Sequence, residues 1–359
     1  MKKSLIALAV LAASGAAMAQ SSVTVFGVVD EAVTYVNGAD NWNGIQSGGN
    51  ATSRIGFRGV EDLGGGLKAN FWLEAGILAD SGSGASGGAT GSGLEFKRRS
   101  TVGLEGGFGE VRLGRDLTEA YKATSRYDVF GQVGLGVSRL WANDTLGGGA
   151  NAVALTSQRV SNMVTYVSPN ISGFKAAVNY GFGEVAGENR DSRYVGAGLT
   201  YDNGPLSLGL SGERSNRGAN SNTTRDLTAW ALGGSYDLGV VKLSAAYRDS
   251  KAKVVAGAKD KAKGYYIGLS APVGAAGEVK ASYNRYEGQL GLAGAEKYKA
   301  DQFALGYVHN LSKRTALYGT YAYIKNKDDG ALGQTLGTAA TLKDNGSQHG
   351  LQVGIRHAF

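Results

Sequence analysis

Residue types able to do covalent chemistry are scarce in this 359-residue chain. It has no Cys, which removes thiol nucleophiles, thiolate metal sites and disulfides. His309, His349 and His357 are its three histidines, too few for a multi-His metal centre, and none has an adjacent nucleophile motif. Neither an enzyme nor a cofactor protein is expected. What the sequence offers instead is placed charge. Arg54 alternates with Ile55 and Phe57, and Arg159 stands opposite Val160, Val164 and Tyr166. Arg99 falls opposite Val102 and Leu104 by the same count. On extended strands these arginines point away from the apolar side. One such arginine is as well explained as a solvated charge. Several converging on a wet passage would favour anions, because rings of like charge select ions.

The elements that would carry them are strands. Period-2 alternation recurs along the chain, as in Leu206/Leu208/Leu210, Val241/Leu243/Ala245/Tyr247, Phe303/Leu305/Tyr307 and Leu351/Val353/Ile355. No segment shows a convincing helical stripe. The 58 Gly argue against helices and for tight turns. Short turns stand at Asp62–Gly66, Gly106–Gly109, Ser168–Gly173, Asp202–Pro205, Asp237–Gly239, Pro272–Gly277 and Asn310–Lys313. The three prolines fall in these turns or at their strand junctions, since proline cannot donate to a central ladder. Between them run long polar connections, the longest from Leu117 to Gln158. Seven hairpin turns with a strand at each end predict 16 strands.

Met1–Ala19 reads as an export signal: Lys2 and Lys3, an apolar stretch from Leu5 to Ala13, and Ala17-Met18-Ala19 as the cleavage site. Its removal takes two lysines from a net charge of +7 and leaves +5 over residues 20–359. No later run approaches the ~20 apolar residues of a spanning helix. An exported chain that still spans a membrane must then be a closed barrel, which satisfies every backbone group. A soluble sandwich would alternate too, but with its polar face in water. Here the polar face carries Arg, Lys, Glu, Gly and Ser in nearly every strand, and a 16-stranded closed sheet is too wide for side chains to fill. The expected fold is all-β: a 16-stranded antiparallel transmembrane β-barrel with short periplasmic turns and long extracellular loops. Tyr180, Tyr201, Tyr236, Tyr307, Tyr321 and Phe359 suit its interfacial girdles.

Four segments resemble the general bacterial porins, specifically the trimeric 16-stranded porins of β-proteobacterial type. They are Ser22-Val23-Thr24-Val25-Phe26-Gly27, Ser53 to Gly64, Gly107 to Arg115, and Gly354-Ile355-Arg356-His357-Ala358-Phe359. The likeness covers essentially the whole mature chain. It implies passive diffusion of small hydrophilic solutes and ions through a homotrimer. The third long connection, residues 117–158, would fold into the lumen as the constriction loop, with Asp128-Val129-Phe130-Gly131 near its tip. Loops of that length are usually functional or disordered.

The resemblance also implies an arginine cluster of Arg54, Arg159 and Arg98, whereas alternation favours Arg99 as its third member. Opposing acids would be Asp128 first and Glu119 second. Val129 stands where some members carry Glu, which with the net +5 argues for anion preference. Phe359 would be the signal read by the barrel-assembly machinery. Two other functions stay open: a substrate-specific organic-anion channel and a surface adhesin using the long loops. Basic runs such as Lys251-Ala252-Lys253 and Lys259 to Lys263 would meet lipopolysaccharide phosphates or solvent, not nucleic acid. Asp328-Asp329 is weak ground for a divalent cation site, and no metal site is expected.

Overall fold

A computed structural model describes residues 22–85, 93–141, 145–146, 153–154, 157–183, 186, 192–216, 224–254, 259–289, 291, 297–327, 334–337 and 346–359. The export signal lies outside them. Sixteen long strands form one sheet. The first five are β1 (Ser22–Asn37), β2 (Arg54–Gly64), β3 (Leu67–Leu78), β4 (Arg99–Gly106) and β5 (Gly109–Leu117). Then come β6 (Arg159–Val167), β7 (Phe174–Gly181), β8 (Tyr194–Asn203), β9 (Leu206–Asn216), β10 (Thr224–Asp237) and β11 (Lys242–Val254). The last are β12 (Lys259–Val273), β13 (Gly277–Gln289), β14 (Lys297–Asn310), β15 (Thr315–Lys327) and β16 (Ser347–Ala358). Each pairs antiparallel with its sequence neighbours. The short strands Trp42–Ser47 and Ser83–Ala85 fold back and pair antiparallel with the ends of β1 and β3.

The sheet closes on itself. β1 pairs with β2 on one edge and with β16 on the other, from Val28↔Ala358 to Asn37↔His349. Past the end of β16, Gly27 N donates to the Phe359 carbonyl at 3.0 Å and Phe359 N donates to the Gly27 carbonyl at 3.1 Å. Closure leaves no unpaired edge, the condition for spanning lipid with strands.

The faces are inverted relative to a soluble protein. In β14, Phe303, Leu305 and Tyr307 are exposed while Gln302 is only 1% exposed. In β1, Val29 and Val33 are exposed while Asp30 and Thr34 are fully buried. Each apolar side chain left in water would forgo roughly 1.5–3 kcal/mol, so an apolar outer wall demands lipid. No helix among the described residues is long and apolar enough to cross a membrane.

The lumen is narrowed from within. After β5 the chain turns inward through a helix absent from the sequence expectation, α1 (Glu119–Ser125). Thr118 caps it, its hydroxyl accepting from Tyr121 N at 3.2 Å. So short a helix leaves no room for the amphipathic repeat that betrays longer ones. It lies on a glycine floor: a Cβ at Gly198 would stand 2.7 Å from Ala123 Cβ, and one at Gly209 would stand 2.2 Å from the Ala123 carbonyl. Downstream, Phe130, Leu135, Leu140 and Trp141 pack against the inner faces of β12 to β15, with Tyr266, Tyr286, Ala304 and Ile324. The loop thus follows the inner wall from β5, where α1 begins, round to β15.

Candidate functional site

The wall opposite the loop begins at β2 and β3. Arg54 and Glu74 stand on lumen rows of paired strands, in register with Gly76 and Gly56 respectively. Glu74 Oε1 is 3.9 Å from Arg54 Nε and 2.6 Å from Arg98 Nε. Arg98 is further pinned by its backbone N–H, which donates to the Glu74 carbonyl at 3.1 Å. Arg159 Nε donates to the Arg98 carbonyl at 3.0 Å, and its Nη1 donates to Gln158 Oε1 at 3.1 Å. Gln158 in turn donates to the Tyr121 hydroxyl at 2.8 Å, joining this wall to α1. Arg98 therefore stands between Arg54 and Arg159 and feels both charges. Two guanidinium groups meet one carboxylate, and a third is bonded to the backbone beside them.

Arg98 and Arg99 both reach the lumen side, at different levels. Arg99 pairs with Glu74 across the sheet, so alternation places it inward. Its side chain turns toward the periplasmic half, where its guanidinium lies 4.6 Å from the Trp72 ring centroid and 3.7 Å from Asp116. Trp72 is covered on another side by Arg58, at 5.2 Å. Arg99 thus belongs to a lower network, and Arg98 to the cluster with Arg54 and Arg159.

Arg159 arrives by a route that simple alternation misses. Between Val160 and Met163 the β5–β6 register shifts, with Asn162 at φ 52° and Gly114, the partner of Met163, at φ 124°. The bulge puts Val160 in register with lumen-facing Asp116, while Val164 pairs with outward Leu113. Val160 and Val164 are therefore not on one face, and a parity argument cannot be carried across the bulge.

The two loop acids are both engaged away from the arginine cluster. Glu119 Oε1 accepts from Arg112 Nη2 at 2.6 Å and from Lys122 Nζ at 2.9 Å. Asp116 accepts from the same lysine at 2.8 Å. This network clamps α1 to β5 and balances its own charge.

Asp128 is 5% exposed and acts as a knot. Its carboxylate accepts from the backbone N–H groups of Phe130, Gln132 and Ser138 at 3.0, 3.1 and 3.0 Å, and from Gln132 Nε2 at 2.7 Å. Burial pushes its carboxyl above the usual aspartate range against these donors. The geometry gives Asp128 a positioning role and corrects its sequence expectation as an acid lining the opening: its oxygens are consumed inside the loop. Val129 N donates to the Tyr266 hydroxyl at 2.8 Å, fixing the tip to β12.

Sequence reasoning missed several participants. Glu74 and Trp72 alternate opposite Phe71 and Leu73, a signal as strong as the one that marked Arg54. Asp30 is fully buried in the lumen wall and accepts from Gly49, Asn50 and Ala51 N at 3.0, 3.0 and 2.7 Å, and from the Tyr318 hydroxyl. It holds the first loop inward beside the constriction loop, and nothing in its local sequence announces a contact so distant along the chain. Asp328 and Asp329 lie outside the described residues, and no group of three or more His, Cys, Asp or Glu suited to a metal occurs among those described.

A closed barrel with an apolar outside, a polar inside and a loop folded into a charged lumen is the architecture of an outer-membrane channel. The chain belongs to the Gram-negative porins, whose family profile matches residues 5–329. Outer membrane porin protein 32 of Delftia acidovorans is 48% identical over 369 aligned positions spanning 100% of both chains. An outer membrane porin protein of Bordetella pertussis is 34% identical over 419 positions, again spanning 100% of each. The solved structure of an anion-selective porin from Comamonas acidovorans superposes with TM-score 0.82 at 44% identity, covering 95% of this chain and 100% of that one. The protein is a general diffusion porin located in the outer membrane.

Proposed function

We propose that the channel prefers anions and that Arg54, Arg98 and Arg159 carry the preference. One observation supports this most directly: Arg54 and Arg98 share the single carboxylate of Glu74, Arg159 adds a third guanidinium bonded to the Arg98 carbonyl, and Glu119 and Asp128 are occupied elsewhere. A solute crossing between the loop and this wall meets net positive charge in a confined passage, where Coulomb terms are larger than in bulk water. Small hydrophilic anions would then cross down their gradients faster than cations of equal size. No step needs a cofactor, a metal or covalent chemistry. The anion selectivity of the porin from Comamonas acidovorans, 44% identical, supports the same reading.

The working form is a homotrimer. Arg115 supports it from the outer wall: it pairs with Ser100, which pairs with outward Leu73, and its Nη1 donates to Ser161 at 2.9 Å. Cationic side chains on a lipid face cost up to ~2–4 kcal/mol at the bilayer midplane, so this face suits contact with another copy. The C-terminal strand ending in Phe359 serves as the handle for the assembly machinery, and lipopolysaccharide is the surrounding partner.

The test is the zero-current potential of the purified trimer in a planar bilayer under a KCl gradient. Stepwise conductance with a chloride-directed potential is expected. A potassium-directed potential would leave the porin intact and overturn the arginine-dominated throat.

A further inference from the structure

The outer wall of β11 to β15 changes character abruptly toward the loop end. Trp230, Tyr247 and Tyr265 form an aromatic row there, with neighbouring ring centroids 5.1 and 5.0 Å apart. Such rows mark the membrane interface. Above it, the outward positions of these five strands carry ten cations against three acids among the described residues, Asp249, Glu287 and Asp301.

The register sets like charges face to face: Lys251↔Lys261, Lys253↔Lys259 and Lys299↔Lys327. Directly opposed like charges destabilise a sheet. The three acids relieve only some of this, through Lys251–Asp249 at 3.5 Å, Lys263–Glu287 at 2.9 Å, and Arg285–Asp301 and Lys327–Asp301 at 2.8 and 2.9 Å. Lys261, Lys297 and Lys299 have no ion pair among the described residues, and they line an outward recess of about 340 Å³ in which four lysines, with Lys263, outnumber the two acids Asp249 and Glu287.

Below it, across β9 to β14, lies a second hollow of about 630 Å³, lined by Leu208, Gly234, Ala245, Ile267, Ala281 and Phe303. It forms because the small residues Gly234 and Ala245 are cross-strand partners beside the larger Leu208 and Ile267. The six steps from Ala245 to Lys251 span about 20 Å at ~3.3 Å each, comparable with half of a ~30 Å hydrocarbon core once the strand tilts.

We propose that this face is a binding site for one lipopolysaccharide molecule of the outer leaflet. The lysine recess takes the headgroup phosphates and the apolar hollow takes an acyl chain. This rests on the proposed lipopolysaccharide partnership and gives it a place and a chemistry. The recess is cationic where the phosphates lie, and the hollow is apolar at the depth of the chains. A phosphorylated lipid is the occupant that satisfies both and relieves the opposed lysines.

The experiment is native mass spectrometry of the full-length mature trimer with bisphosphorylated lipid A, against dephosphorylated lipid A. The comparison variant is Lys251→Gln/Lys261→Gln/Lys299→Gln, whose unchanged single-channel conductance certifies its fold. Retention of bisphosphorylated lipid A by the native protein, with at least a ten-fold loss in the variant and with the dephosphorylated lipid, is expected. Equal retention by native protein and variant would overturn the site while leaving the partnership standing elsewhere on the barrel. Equal retention of the two lipids would overturn phosphate recognition. Retention by neither protein would overturn the partnership and the site together.

Discussion

Arg98 donates its Nε to Glu74 Oε1 at 2.6 Å, and Arg54 Nε stands 3.9 Å from the same oxygen. Glu74 is thus the negative counterweight inside the arginine cluster. Removing one unit charge a few Å from a permeating ion changes its energy by about 1 kcal/mol even at the dielectric of water, at least about five-fold in the chloride-to-potassium ratio because the two ions shift in opposite directions. Glu74→Gln keeps the shape and is expected to raise the chloride-to-potassium permeability ratio on that order. Zero-current potentials of the variant and the native trimer measure it; a fall in the ratio would mean that Glu74 chiefly positions the arginines.

The two neighbouring arginines should separate functionally. Arg98 lies with Arg54 and Arg159, whereas Arg99 is held by Asp116 at 3.7 Å and by the Trp72 face. Arg98→Gln is expected to reduce anion preference clearly, and Arg99→Gln to change it little. The double variant Arg54→Ser/Arg159→Ser should abolish most of the preference while the trimer still folds, because neither arginine is needed to close the sheet. Selectivity unchanged in that double variant would remove both residues from the filter.

The barrel was readable from the sequence because its logic is repetitive. Alternation in segments such as Phe303/Leu305/Tyr307, turns at Asp202–Pro205 and Pro272–Gly277, and the terminal Phe359 each point to the same closed sheet. The constriction was only partly readable. Alternation located Arg54 and Arg99, but it cannot see through the bulge at Asn162, and it assigns no side-chain direction at Arg98, which precedes its strand. Asp128 looked like a pore acid because its residue type is visible and its partners are not. Donors such as Ser138 N reach it only once the loop has folded back on itself. The glycine floor beneath α1 was visible as composition, but Gly198 and Gly209 gained meaning only when the inward loop was laid over them.

Asp128 should behave as a loop fastener. Asp128→Asn turns an amide donor toward groups that all donate, the N–H groups of Phe130, Gln132 and Ser138. Leaving such a buried donor unsatisfied costs about 1–3 kcal/mol. The loop should loosen, so single-channel traces of the variant are expected to show larger open-channel noise and more frequent partial closures at unchanged ion selectivity. A shift in selectivity with quiet traces would return Asp128 to the role of a pore-lining charge.

Closure of the barrel should depend on the bare face of Gly27. A Cβ there would meet the Phe359 ring at 2.3 Å and the Arg54 carbonyl at 2.8 Å, while the backbones of Gly27 and Phe359 exchange two hydrogen bonds. The carbonyl contact is set by the sheet, but the ring can move, so Gly27→Ala is expected to displace Phe359 first. Overpacking of this kind costs about 1–3 kcal/mol. The trimer should then lose heat resistance, read as the temperature at which it dissociates on a semi-native gel. Phe359→Ala removes the ring and should be destabilising by itself. Combined with Gly27→Ala it should cost less than the sum of the two single changes, since residues in contact are not additive. Strict additivity would show that the ring does not rest on Gly27 in the assembled barrel.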